Sequence, residues 1–207
     1  MNRKAFNAIN YGLFLVGAAV DGKRHGCVVN SLHQATSSSP YKFTLTMSKS
    51  NETTKTIETA GSFAATVLSR DCPKELVNLF GYKSGRVVDK FAEYDTAVDE
   101  AGNPYVNAYA LARISCKVVD KMDLGNYILF VGEVTEAEVM GEGIGLTVDA
   151  FKNNGGSTPP AATVYRTLEG NEGWKCTICG YVAEKEVLPE GYQCPLCRAN
   201  ADKFVKL

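Results

Sequence analysis

From Tyr11 to about Tyr165 the chain alternates short apolar, β-branched runs with turn residues, the pattern of an antiparallel barrel or sandwich. The runs predict strands over 12–20, 24–29, 42–48, 62–68, 109–120 and 126–139. Asp21-Gly22 is a tight-turn dipeptide between the first two, and Gly61-Ser62 and Leu124-Gly125-Asn126 punctuate later ones. Two helices interrupt the β pattern. One follows Ser50 or Asn51, either of which can cap NETTKTIETA, with Gly61 as its stop. The other opens at Pro73 and runs through ELVNLF to Gly81. No strand–helix alternation of Rossmann type appears. Residues 153–160 read as a loop, and the Gly-rich stretch 169–173 as a linker between a domain over 1–168 and a smaller one over 174–207.

With 207 residues the chain has room for one medium domain and a small appendage. Charged residues make up 22% and the net charge is -1, so no basic face for nucleic acid is expected. The apolar run 11–20 ends in Asp21-Gly22, too short for a membrane span and without a small-residue cleavage site, and reads as a buried strand. Of seven cysteines, Cys27, Cys72 and Cys116 share no spacing. An odd, unpatterned set argues against a disulfide framework and for a reducing compartment, the cytoplasm.

The other four form two C-x2-C pairs in the last 34 residues, Cys176/Cys179 and Cys194/Cys197. Four thiolates so arranged close a tetrahedron around one metal ion, and on ligand grounds zinc and iron suit it equally. Gly180 tolerates the positive φ of a thiolate-binding knuckle, and Pro195 stiffens the other knuckle. Trp174, Tyr181, Tyr192 and Phe204 surround the pairs at a density a zinc staple does not require, which favours iron. The string WKCTICGY…PEGYQCPLC…ADKF closely resembles rubredoxin in the shortened form fused to larger proteins, and the resemblance implies a single iron that shuttles one electron. Two features depart from that family. Only 14 residues separate Cys179 from Cys194, and Arg198 stands where glycine usually follows the last cysteine. A left-handed Arg198 would cost about 1 kcal/mol, and its charge beside an anionic site favours the reduced state.

A one-electron iron cannot accept a hydride, so a fused partner serving two-electron donors must hold an organic switch such as a flavin. Asn30 and Ser31 end one predicted strand, and Ser48 and Lys49 end another. Asn51 and Thr53 sit at a helix N-terminus, where backbone amides and the helix dipole suit a phosphate. Each alone is ordinary turn chemistry. The order of segments over about residues 5–165 resembles the flavin reductase-like, FMN-binding split-barrel family, through DGKRHGCVVNS, the NETTKTI helix start, GSFAATVLS, FGYKSGRVVDKF, LFVGEV and GGSTPPAATVY. The resemblance implies a mainly β, antiparallel Greek-key split β-barrel with a few helices, followed by the four-cysteine rubredoxin-like domain. It implies a homodimer with FMN near the subunit interface. It also implies that Asn30, Ser31, Ser48, Lys49, Asn51 and Thr53 line the FMN site, with Lys90 of the SGRVVDKF segment a further candidate.

The donor side departs from the family. Many relatives carry a histidine before the LFVGEV strand, where this chain reads Leu124-Gly125-Asn126-Tyr127, and a family tyrosine pair is replaced by Val148 and Phe151. The only histidines, His25 and His33, lie in no Glu-x-x-His helix, which excludes a di-iron bundle. Cys72, without a base nearby, reads as an inert thiol, and Cys27 and Cys116 as strand residues. No catalytic residue is assigned. The combined expectation is an oxidoreductase in which FMN takes two electrons from NADH or NADPH and passes them singly to the iron. Resemblance to the high-molecular-weight rubredoxin type of fusion implies onward delivery to a flavodiiron protein. Two rivals fit the same residues: a reductase of free flavin or a small acceptor with accessory iron, and a non-enzymatic zinc-ribbon binding module.

Overall fold

The computed structural model describes residues 2–156, 173–178, 182–183, 185, 187–194 and 198–206. The chain begins with a 3-10 turn, Arg3–Ala8, then pairs β1 (Phe14–Val20) with β2 (Lys23–Val29). Asp21 and Gly22 both take positive φ, 50° and 74°, as a two-residue hairpin turn of matching twist requires. The elements that follow are β3 (Leu32–Gln34), β4 (Lys42–Ser48), α1 (Glu52–Ala60), β5 (Ser62–Leu68) and α2 (Lys74–Tyr82). After them come β6 (Thr96–Val98), β7 (Pro104–Val106), β8 (Ala110–Asp123), β9 (Tyr127–Val139) and α3 (Val148–Asn153). Near the C-terminus, β10 (Trp174–Cys176), β11 (Val182–Ala183) and β12 (Phe204–Lys206) form a separate sheet.

The main sheet has seven strands, all antiparallel, in the order β2-β1-β5-β8-β9-β4-β3. Its two edge strands, β2 and β3, are consecutive in sequence and joined only by Asn30 and Ser31. Three residue steps span at most about 11 Å, whereas seven flat strands would spread their edges about 29 Å apart. The sheet must therefore curl until its edges nearly meet, and Asn30-Ser31 bridges the split. Bulges in the β8–β9 pairing at Ser115/Cys116 and Val118/Asp120 supply part of the bend.

Two apolar clusters flank this wall. Val16, Cys27, Val29, Leu45, Ile57, Phe63 and Phe130 fill one, while Leu15, Val28, Leu76, Phe80, Phe91 and Phe151 fill the other. Neighbouring residues on β1 and β2 point into different clusters, which explains why these strands read as unbroken apolar runs.

The strands at 42–48 and 62–68 and the Gly61 stop of α1, at φ 67°, match expectation. β1 starts two residues late because Gly12 and Leu13 pair instead with Thr147 and Leu146. Pro73 stands outside α2 as its N-cap. β3, β6, β7 and α3 were not expected, since strands of three residues are too short to show a period. Residues 169–172 of the linker and 157–160 of the 153–160 loop lie outside the described residues. No helix among the described residues is long and apolar enough to cross a membrane.

Candidate functional site

Asn51 caps α1: its side chain accepts from the Thr53 amide at 3.0 Å, and its own amide donates to Ser48 O at 3.1 Å. Thr54 Oγ1 donates to the same Ser48 carbonyl at 2.7 Å, so the end of β4 and the start of α1 are one hydrogen-bonded corner. Thr53 and Thr54 are buried, and across the corner the Cys27 thiol meets the side chains of Thr53 and Asn51. Asn30 is fully buried at the sheet split, and Ser31 Oγ donates to Thr46 O at 2.5 Å. Asn51, Thr53, Ser48 and Ser31 are thus linked through β2, β4 and the α1 N-terminus. Lys49 is different. Its amide donates to Asn126 O, but its amine forms an exposed pair with Asp123 at 2.7 Å, at the tip of the β8–β9 hairpin.

Lys90 reaches the corner from the other side. Its amine is buried and donates to Gly26 O and Phe80 O, each at 2.9 Å, holding the segment after α2 against the edge strand β2. Burial pushes this amine down to about 8. The Cys27 thiolate would oppose that shift, but burial raises the Cys27 pKa, so the group beside Lys90 is a neutral thiol. Folding therefore disfavours the lysine cation. The penalty is complete below pH 8 and fades as pH rises from about 8 towards the unfolded value near 10.5. Relative to Lys90→Met, the wild type should gain up to about 3 kcal/mol across that window in denaturant titrations. The two carbonyl acceptors support the cation and make this an upper limit. Equal pH slopes for both proteins would contradict the assignment.

The segment 83–89 between α2 and Lys90 lies over the same corner. Arg86 pairs with Glu52, the first residue of α1, and Asp89 pairs with Arg24 of β2. Burial alone would raise the Glu52 carboxyl, but Arg86 and Lys55 outweigh it and hold it below its usual range. A carboxylate at a helix N-terminus would repel an incoming anion, and these two cations offset it.

Segment 83–89 falls in the FGYKSGRVVDKF match and Cys27 in the predicted strand, but their contacts at this corner were not read from sequence. Cys27 sits three residues before Asn30 on a strand, but its contacts with Asn51 and Thr53 are set only by how β2 packs on α1. Cys72 is buried and pushed up to about 12, first by burial and then by Glu75, which agrees with an inert thiol. Tyr127, half exposed, pairs across to Ser48 on β4.

At the C-terminal end, Cys176 and Cys194 are both fully buried. They pack with Ala183 and Phe204, and Trp174, Leu188 and Tyr192 close round them. Tyr192 meets Phe204 edge to face at 5.4 Å. Cys194 N donates to Ala199 O at 2.8 Å, and Arg198 N donates back to Cys194 O at 2.9 Å. Arg198 has φ 58°, the left-handed conformation that costs a non-glycine residue about 1 kcal/mol. Cys179, Gly180, Tyr181, Pro195 and Cys197 lie outside the described residues.

Residues 6–151 match the family model described as flavin reductase like domain. The chain belongs to the flavin reductase-like family. Residues 174–205 match the rubrerythrin, rubredoxin-like domain, so the flavin reductase-like part is fused to a rubredoxin-like one. The protein is 30% identical over 230 aligned residues to the high molecular weight rubredoxin of Moorella thermoacetica, covering 100% of both chains. It is 34% identical over 166 residues to the ferric-chelate reductase (NAD(P)H) of Archaeoglobus fulgidus, covering 80% of this chain and 98% of that one. Flavoredoxin from Methanosarcina acetivorans shares the fold, with TM-score 0.58, 23% identity and coverage of 63% of this chain and 69% of that one. These relationships make this family member a flavin-dependent electron-transfer oxidoreductase with a rubredoxin-type iron domain. The residues fit both groups. Two buried thiols in a dry aromatic shell suit iron, and buried Asn30, Ser31 and Thr53 beside a helix N-terminus suit a flavin phosphate.

Proposed function

We propose that the protein takes electron pairs from NADH or NADPH onto FMN and passes them singly to a four-cysteine iron, from which a redox partner of the flavodiiron type draws them. The observation that carries this reading is the corner at the α1 N-terminus, where polar side chains from β2, β4 and α1 converge beside the split of the barrel. Asn30, Ser31, Ser48, Asn51 and Thr53 hold the flavin there. Lys49 contributes through its backbone, and Lys90 positions β2 from behind. FMN, when bound, supplies the exchange between a two-electron donor and a one-electron acceptor. The first-turn amides of α1 set a positive potential for the phosphate, and Arg86 offsets the Glu52 carboxylate beside them. Cys176, Cys179, Cys194 and Cys197 hold the iron, and Trp174, Tyr192 and Phe204 keep water from it.

The setting proposed is a cytoplasmic homodimer. Cys27, Cys72 and Cys116 are buried free thiols, in keeping with a reducing compartment. Val119, Met122, Leu124 and Tyr127 expose an apolar run along the β8–β9 hairpin that a second copy would cover. Metal and flavin analysis of the purified protein tests the cofactors: about one iron and one FMN per chain is expected, whereas zinc without flavin would overturn the reading.

A further inference from the structure

The segment 83–89 is a strap laid across the edge strand of the barrel and fastened at several points. Arg86 holds Glu52 at the mouth of α1, Asp89 holds Arg24, and Lys90 donates to Gly26 O. Within the strap, Val87 N and Val88 N donate to Ser84 O and Arg86 N to Ser84 Oγ, so it is a compact turn. Its one side-chain-free contact is Gly85, where an added Cβ would lie 2.7 Å from His25 Nδ1. The imidazole of His25 therefore occupies the place a side chain would take. Nδ1 is buried there with no hydrogen-bond partner among the described residues.

We infer that His25 is a proton-operated latch for this strap: neutral, it seats Gly85 and keeps the flavin corner closed, and protonated, it lifts 83–89 and lets flavin exchange. The inference rests on the flavin site proposed above. A neutral imidazole tolerates a dry Nδ1 in its acceptor form, but an imidazolium would bury an N–H with no acceptor, which is a costly arrangement. The charges around it do not rescue the cation. Glu52 from α1 and Asp89 from the strap favour it, but each is already paired, with Arg86 and Lys55 and with Arg24 respectively. Lys90 behind the strap and Lys23 on β2 oppose it. Burial is the largest influence and lowers the His25 pKa from its usual value near 6.5. A lowered histidine contributes closure that is fully present above about 6.5 and is lost as pH falls below it, because the open strap binds the proton more readily.

Flavin release from the loaded full-length protein, followed by recovery of flavin fluorescence on dilution, provides the test. Between about pH 7.5 and 5.5 the wild-type release rate should rise about 3-fold or more. His25→Phe keeps a flat ring without a proton site and should release at the slow rate at both pH values. Hydrogen exchange of amides 83–89 in the wild type, corrected for intrinsic rates, should show the same opening and needs no mutant. A pH-dependent release rate that persists in His25→Phe, or exchange at 83–89 that does not respond to pH, would overturn the latch. Failure to bind flavin at any pH would instead contradict the function proposed above, and the exchange measurement would still decide the latch.

Discussion

Stripping the metal will unfold the rubredoxin-like domain and leave the barrel intact. Chains below about 40 residues rarely bury enough apolar surface to fold unaided, and the described core here is Cys176, Ala183, Cys194 and Phe204 with a few half-buried neighbours. Two of those four core residues are thiols of the C-x2-C pairs, so binding free energy and folding free energy are coupled there. The barrel has its own two clusters, filled by Phe63, Phe80 and Phe130 among others, and needs no metal. The chain's single tryptophan, Trp174, packs on the metal-side core and reports on that domain alone. Its emission should shift to the red on metal removal, and Cys194→Ser should have the same effect with metal affinity reduced by at least ~100-fold. Far-ultraviolet β signal from the barrel should persist. Unchanged tryptophan emission in demonstrably metal-free protein would contradict the coupling.

Gly17→Ala should be among the most damaging single substitutions in the barrel. Gly17 lies in the middle of β1, opposite Gly26 on β2 and Ala64 on β5. A Cβ at this position would sit 2.1 Å from Pro104 O and 2.9 Å from the Phe91 ring. A flexible side chain could yield, but Pro104 O is backbone of the β6–β7 hairpin, which packs over β1. Relief requires lifting the whole hairpin. That hairpin is tied to β5 through Asp99, Asn103 and Ser62, with Asp99 accepting from Asn103 N at 2.7 Å and Asn103 Nδ2 donating to Ser62 Oγ at 3.0 Å. Overpacking of this kind costs about 3 kcal/mol or more, a fall of roughly 6–12 °C in Tm for a domain of this size. Calorimetry of the variant against wild type measures it, and a Tm within about 2 °C of wild type would show that the hairpin moves freely.

Much of this architecture is legible in the order of residues. The β-branched runs, Asp21-Gly22 and the Asn51…Gly61 pair mark β1, β2, β4, β5 and α1, because local backbone chemistry determines them. Arg198 stood out as a residue in a glycine's place, and its positive φ of 58° shows the conformation that place requires. What could not be read depends on residues far apart in sequence. Cys27 becomes part of the corner only when β2 packs on α1. Gly85 gains meaning only when its loop meets His25, about sixty residues earlier in the chain. Lys90 is a further flavin candidate by resemblance, and the two hydrogen bonds of its amine, to Gly26 O and Phe80 O, are contacts that no local pattern encodes.

In the proposed path, electrons enter at the corner formed by β2, β4 and α1 and leave through the four-cysteine iron. Anaerobic stopped-flow mixing of the intact protein with NADH and with NADPH, followed at flavin and ferric-thiolate wavelengths, resolves the order of these steps. At least one nicotinamide should bleach the flavin band first and the iron band afterwards, in the same molecule and without added flavin. An iron band that stays oxidised while the flavin band is fully bleached would contradict it.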